Sequence, residues 1–114
     1  MKQWIRVARA ADVPLERGIV VAFADREIAL FRLGDHYCAL DNNCPHKEAP
    51  LAEGGIVESE GRLWVYCPWH RFLFDPQTGG CDRPGFDTQA YNVLCREGDL
   101  YLEVSSAFPQ EQIG

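Results

Sequence analysis

Short apolar segments separated by turn residues run along almost the whole chain, and no long stretch shows a helical period. Alternating apolar and polar residues bounded by glycine, proline, asparagine or aspartate are typical of β-strands. The segments predicted as strands are residues 4–8, 19–23, 27–33, 37–40, 56–57, 63–66, 72–74, 91–95 and 100–104. Many short strands with frequent turns indicate an antiparallel all-β sandwich or barrel.

Two polar segments interrupt this pattern, and each follows a predicted strand directly. The first covers residues 41–50 and contains two prolines, and the second covers residues 67–71. Loops on a rigid sheet are the usual carriers of function. The chain has 114 residues, which suits one domain. We expect that domain to cover residues 1–105, with a small two-loop subdomain at about 42–76 and a loose tail at 106–114.

The chain is acidic, with 17 acidic and 11 basic residues and a formal net charge of −6. Nucleic acid is therefore not an expected partner, because binding it depends on neutralising phosphates. A negative charge would suit docking to a basic protein, although acidity often serves solubility alone. No stretch is apolar for long enough to be a membrane span or a signal peptide, so we expect no membrane contact and a cytoplasmic location.

The five cysteines are an odd number, and without a signal peptide this argues against a disulfide framework. Cys38 and Cys95 fall within predicted strands and are expected to be small core residues. Cys44 and Cys67 instead fall in the two polar loops, each close to a histidine. Cysteine beside histidine in a reducing compartment suggests metal binding or catalysis.

Each polar loop supplies one cysteine and one histidine, as Cys44-x-His46 in the first and Cys67-x-x-His70 in the second. A hairpin between the loops would bring the four side chains together. Two thiolates and two imidazoles suit tetrahedral zinc, and they also suit a [2Fe–2S] cluster with histidines on one iron. Zinc fingers usually keep their cysteines together and their histidines together, whereas each loop here contributes one of each. This order favours the binuclear cluster.

The paired motifs resemble the Rieske signature, and the resemblance continues through residues 44–51 and 67–75. It implies the Rieske fold, in which an antiparallel β base carries a small cluster-binding subdomain of two loops. It also implies that Cys44 and Cys67 hold the inner iron, while His46 and His70 hold the outer iron. The segment 84–86, Pro-Gly-Phe, resembles the loop that shields the cluster from a third side in this family.

The sequence departs from the Rieske proteins of cytochrome bc-type complexes at four positions. Those proteins carry an extra cysteine in each loop, where this chain has Ala49 and Trp69. They also carry a serine and a tyrosine where this chain has Phe72 and Phe74. Without those hydroxyl donors the reduced cluster is less stabilised, which predicts a potential near the low end of the Rieske range, roughly −150 mV. The chain therefore resembles the low-potential, ferredoxin-like branch.

Within that branch the resemblance implies a one-electron carrier between an NAD(P)H-dependent flavin reductase and a terminal oxygenase, such as an aromatic-ring dioxygenase. The alternative is the small subunit of NAD(P)H-dependent nitrite reductase, whose partner is the large subunit. A structural zinc-binding domain is the third alternative. An oxygenase iron site needs two further histidines and a carboxylate, and the chain has only three histidines. We therefore expect no substrate-converting site.

Overall fold

A computed structural model of the chain describes residues 2–15, 17–23, 26–43, 49–69 and 71–105, and these residues form ten β-strands. The strands are β1 (Lys2–Arg9), β2 (Ile19–Phe23), β3 (Arg26–Leu33), β4 (His36–Asp41), β5 (Gly55–Ser59), β6 (Arg62–Tyr66), β7 (Leu73–Phe74), β8 (Ala90–Tyr91), β9 (Val93–Arg96) and β10 (Asp99–Ser105). Two single-turn 3-10 helices, Ala10–Asp12 and Leu51–Glu53, lie in the connections.

The strands form three sheets, and every strand pair is antiparallel. We call the sheet of order β1-β10-β9 the terminal sheet, the sheet of order β2-β3-β4-β8 the middle sheet, and the sheet of order β5-β6-β7 the loop sheet. The predicted all-β antiparallel architecture is therefore confirmed. Within the described residues, no helix is long and apolar enough to cross a membrane.

The middle sheet is covered on both faces. Ile28 and Leu30 of β3 pack against the terminal sheet, in what we call the terminal core. Ala29 and Phe31 pack on the other face against the loop sheet, in what we call the loop-side core. Side chains alternate across a strand, so four consecutive residues can be fully buried only between two layers. This position explains the unbroken apolar run in β3.

The predicted strand over residues 91–95 is divided at Asn92. β8 pairs with β4 in the middle sheet, whereas β9 pairs with β10 in the terminal sheet. The Asn92 carbonyl accepts the Glu103 amide at 3.0 Å, and the Asn92 side-chain amide donates to the Glu103 carboxylate at 2.8 Å. The chain thus passes from one sheet to another at Asn92, which an alternating pattern cannot reveal.

The two strand cysteines differ in their surroundings. Cys38 is buried in the loop-side core, as predicted, and this burial, with the nearby Asp75 carboxylate, raises the pKa of its thiol to about 12. Cys95 was expected in the core, but this prediction is wrong: the residue is exposed, near the end of β9 at the edge of the terminal sheet. The predicted tail at 106–114 lies outside the described residues, as do Cys44, His46 and His70.

Candidate metal centre

The two polar loops of the predicted site are held next to one another at their ends. The first leaves β4 after Asp41, and the second leaves β6 after Tyr66. Gly54, which follows the first loop, lies so close to the start of the second that an added Cβ would stand 1.9 Å from the Tyr66 carbonyl oxygen. Only glycine allows this approach of two backbones. The contact fixes the return of the first loop beside the entry of the second.

Of the four predicted ligands, Cys67 lies within the described residues. Its side chain is completely buried in the loop-side core. Its amide donates to the Phe72 carbonyl at 2.8 Å and so closes the second loop. Its Sγ accepts the Trp69 amide at 3.4 Å. Amide donors stabilise a thiolate, which is the metal-binding form of cysteine. The surroundings of Cys67 therefore fit a cluster ligand.

The second loop reverses direction at Arg71, whose φ is 57°. Residues other than glycine rarely adopt this left-handed conformation. The guanidinium of Arg71 lies 4.5 Å from the centroid of the Tyr66 ring, so the side chain is stacked on the strand that leads into the loop. A cation above an aromatic face is attracted by the ring's quadrupole. The stacking is thus one of the contacts that hold the reversed backbone in place.

The segment 84–86 packs against the second loop. The ring of Phe86 meets the ring of Phe72 edge to face, with 5.4 Å between centroids and 70° between planes. The Arg83 guanidinium lies 4.8 Å from the centroid of the same Phe72 ring. The Phe72 carbonyl accepts the hydrogen bond from the Cys67 amide and so closes the second loop. Phe86 and Arg83 therefore pack against the residue that closes this loop. The shielding of the cluster by this segment stays a prediction from the resemblance.

Asn42 closes the base of the first loop. It is 3% exposed, and among the described residues it is the only polar or charged one that is buried. Its amide donates to the Glu27 carbonyl at 2.9 Å, and its carbonyl accepts the Leu51 amide at 2.6 Å. Its Oδ1 accepts the Ala52 amide at 2.9 Å. One residue therefore ties both ends of the loop together. Sequence reasoning missed it, because an asparagine after a strand is an ordinary turn signal.

Replacing Asn42 by alanine should loosen the first loop. The buried Ala52 amide would lose its acceptor, at a cost of about 1–3 kcal/mol in the free energy of unfolding. We also expect the visible absorption of the loaded protein to bleach faster in air. Urea unfolding and absorption time courses measure these two effects. Asn43→Ala, at the exposed neighbouring position, is the control, and equal behaviour of the two variants would contradict this role of Asn42.

Within the described residues, no three histidine, cysteine or carboxylate side chains come together in a way that could hold a metal ion. Three of the four predicted ligands lie outside those residues, so the complete ligand set stays a prediction.

Comparison with known proteins gives consistent matches. The family model of the Rieske [2Fe–2S] domain matches residues 3–95. The nitrite reductase (NADH) small subunit of Escherichia coli K12 is 29% identical, over 90% of this chain and 98% of that protein. The 3-phenylpropionate/cinnamic acid dioxygenase ferredoxin subunit of Photorhabdus laumondii is 33% identical, over 69% of this chain and 74% of that protein.

The fold is also similar to a crystal structure of a proposed NADH-dependent nitrite reductase small subunit from Mycobacterium tuberculosis. The TM-score is 0.84 at 25% identity, covering 93% of this chain and 98% of the other.

Proposed function

The chain belongs to the Rieske [2Fe–2S] domain family, and from this membership we propose a ferredoxin that carries single electrons from an NAD(P)H-dependent flavin reductase to a terminal oxygenase. Members of the family bind a [2Fe–2S] cluster, which accepts and returns one electron when bound. We assign Cys44 and Cys67 to the inner iron, and His46 and His70 to the outer iron. The observation that carries the proposal is the buried Cys67 sulfur, which accepts a backbone amide in a loop that matches the family motif.

The residues beside Cys67 support a low potential. Phe74 is fully buried in the loop-side core and Phe72 is 6% exposed, and neither side chain carries a hydrogen-bond donor. The Cys67 sulfur therefore receives the Trp69 amide but no hydroxyl from positions 72 and 74. Fewer donors to the sulfurs leave the more negative, reduced state less stabilised. A low potential suits a carrier that delivers electrons to an oxygenase.

A redox titration tests this proposal. Anaerobically purified protein should be red-brown and contain two irons per chain, and it should show a reversible one-electron change at roughly −150 mV. Visible absorption and circular dichroism follow the change. A midpoint well above zero would contradict the effect assigned to Phe72 and Phe74. A colourless folded protein with one zinc would overturn the proposal altogether.

The second candidate is a small subunit of NAD(P)H-dependent nitrite reductase, which the near-complete coverage of the Escherichia coli protein favours. The two functions differ in how long the partners stay together. A ferredoxin exchanges partners, so it should purify alone and accept electrons from NADH through an added flavin reductase. A reductase subunit should instead purify with its large subunit and support nitrite reduction by NADH.

A further inference from the structure

We propose that the protein docks the acidic face of a redox partner through Trp69, Arg71 and Arg83, which we call the docking face. The proposal rests on the proposed function, since it names the surface through which the electron leaves. All three residues contact or belong to the loop that closes on Cys67: Trp69 donates its amide to the Cys67 sulfur, Arg71 follows in the same loop, and Arg83 stacks on Phe72.

Both guanidinium groups are exposed but held in place. Arg71 lies over the Tyr66 ring at 4.5 Å, and Arg83 lies over the Phe72 ring at 4.8 Å. Stacking on a ring leaves the outward N–H donors of a guanidinium available to a carboxylate. It also reduces the conformational entropy that an arginine loses when it binds a partner. The two guanidinium groups are therefore preorganised to bind acidic groups of a partner.

The carboxylates of the same region keep their negative charges, but hydrogen bonds or an ion pair within the protein engage their oxygens. Asp82 accepts the Leu73 amide at 3.1 Å, and Asp87 accepts the Cys81 amide at 2.8 Å. Asp75 forms an ion pair with Arg62. Within the described residues, no ion pair links Arg71 or Arg83 to a carboxylate. One oxygen of each exposed aspartate is thus bonded to a backbone amide, whereas the exposed guanidinium groups of Arg71 and Arg83 keep outward donors for a partner's carboxylates.

Trp69 supplies the apolar part of the surface, with 52% of the residue exposed. Tryptophan and arginine are, with tyrosine, enriched among the residues that dominate binding energy at protein interfaces. The net charge of −6 suggested a basic partner, but charge near the contact is what steers docking. The arrangement around Cys67 reverses that expectation and points to an acidic partner face.

Electron transfer to an acidic acceptor protein tests the proposal. Reduced, cluster-loaded protein is mixed with ferric cytochrome b5, and one electron passes from the cluster to the ferric haem, which becomes ferrous. Attraction between opposite charges is screened by salt, so the rate should fall as ionic strength rises. If the net charge governed docking, like charges would repel and the rate would instead rise with salt, which would overturn the proposal.

Variants separate local charge from net charge. The double variant Arg71→Gln/Arg83→Gln should slow the reaction roughly tenfold at low salt, the lower end of the effect of electrostatic steering. Arg71→Lys/Arg83→Lys keeps the charges and should retain the salt dependence. The control Arg9→Gln/Arg96→Gln removes the same charge from exposed positions of the terminal sheet and should stay near the parent rate. Equal slowing of the two glutamine double variants would overturn the proposal.

Trp69→Ala should lower the rate at every salt concentration, and an unchanged rate would remove Trp69 from the docking face.

A fluorescence measurement tests the local charge without electron transfer. With Trp4→Phe and Trp64→Phe, Trp69 is the remaining tryptophan of the chain. The ratio of iodide quenching to caesium quenching should then exceed the ratio measured for the neutral compound N-acetyltryptophanamide, and the excess should shrink in the Arg71→Gln/Arg83→Gln background. A ratio equal to or below that of N-acetyltryptophanamide would overturn the docking face. A protein without a reversible one-electron change would refute the proposed function but leave this quenching result interpretable.

Discussion

Replacing Cys67 by alanine should leave the protein folded but without iron or visible colour. The sulfur of Cys67 is the described donor of the predicted site, and alanine offers no ligand in its place. The backbone bond from residue 67 to the Phe72 carbonyl does not involve the side chain, so the turn itself should survive. Iron and acid-labile sulfide analysis measure the loss, and far-ultraviolet circular dichroism measures the fold.

Cys38→Ala is the matched control for this experiment. Cys38 is also a cysteine buried in the loop-side core, so its replacement removes the same atom from the same packed environment. Both variants should lose a similar amount of stability from the missing sulfur, while only the Cys67 variant should lose iron. Iron retained by the Cys67 variant, or lost equally by both, would show that Cys67 is not a specific ligand.

Converting the two predicted histidine ligands to cysteine should produce the second large effect. In the double variant His46→Cys/His70→Cys, four thiolates would hold the cluster and make it more negative. The potential should fall from roughly −150 mV toward roughly −400 mV, the value typical of plant-type ferredoxins. Each single variant should lie between these limits. Spectroelectrochemical titration of the anaerobic proteins measures the shift.

The third histidine provides the control. His36 is exposed at the start of β4, where its Nε2 lies 3.4 Å from the Asp35 carboxylate, and it belongs to neither loop. His36→Cys should therefore leave the potential unchanged. An unchanged potential in His46→Cys/His70→Cys as well would mean that the histidines are not ligands, and the zinc alternative would then have to be examined by metal analysis.

The sequence predicts the strands well because each one is bounded by turn residues and matches a period of two. It does not predict which strands share a sheet. Ile28–Phe31 reads simply as a strongly apolar strand, and its burial on both faces depends on contacts with strands far along the chain. The division at Asn92 has the same origin, since Glu103 of β10 supplies the contacts that draw the chain into the terminal sheet.

The ligand motif is local and can be recognised in the sequence. The residues that support the motif cannot be recognised in this way, because their contacts join distant parts of the chain. Asn42 acts through backbone groups of β3 and of residues 51 and 52, which only the folded chain brings together. The stacking of Arg83 on Phe72 joins residues from separate loops. Net charge favours a basic partner, whereas the docking face proposed above favours an acidic one, because the sum of all charges carries no information about where they lie.

The burial of β3 on both faces has a consequence for how the protein acquires its iron. The middle sheet separates the loop-side core, which contains Cys67, from the terminal core, to which the described residues of the two polar loops contribute nothing. The terminal core can therefore assemble before any metal arrives, and it can persist if the metal is lost. We expect the iron-free chain to keep slow hydrogen exchange in β1, β9 and β10, while β5, β6 and β7 exchange faster. Such a chain would be a stable acceptor for cluster delivery.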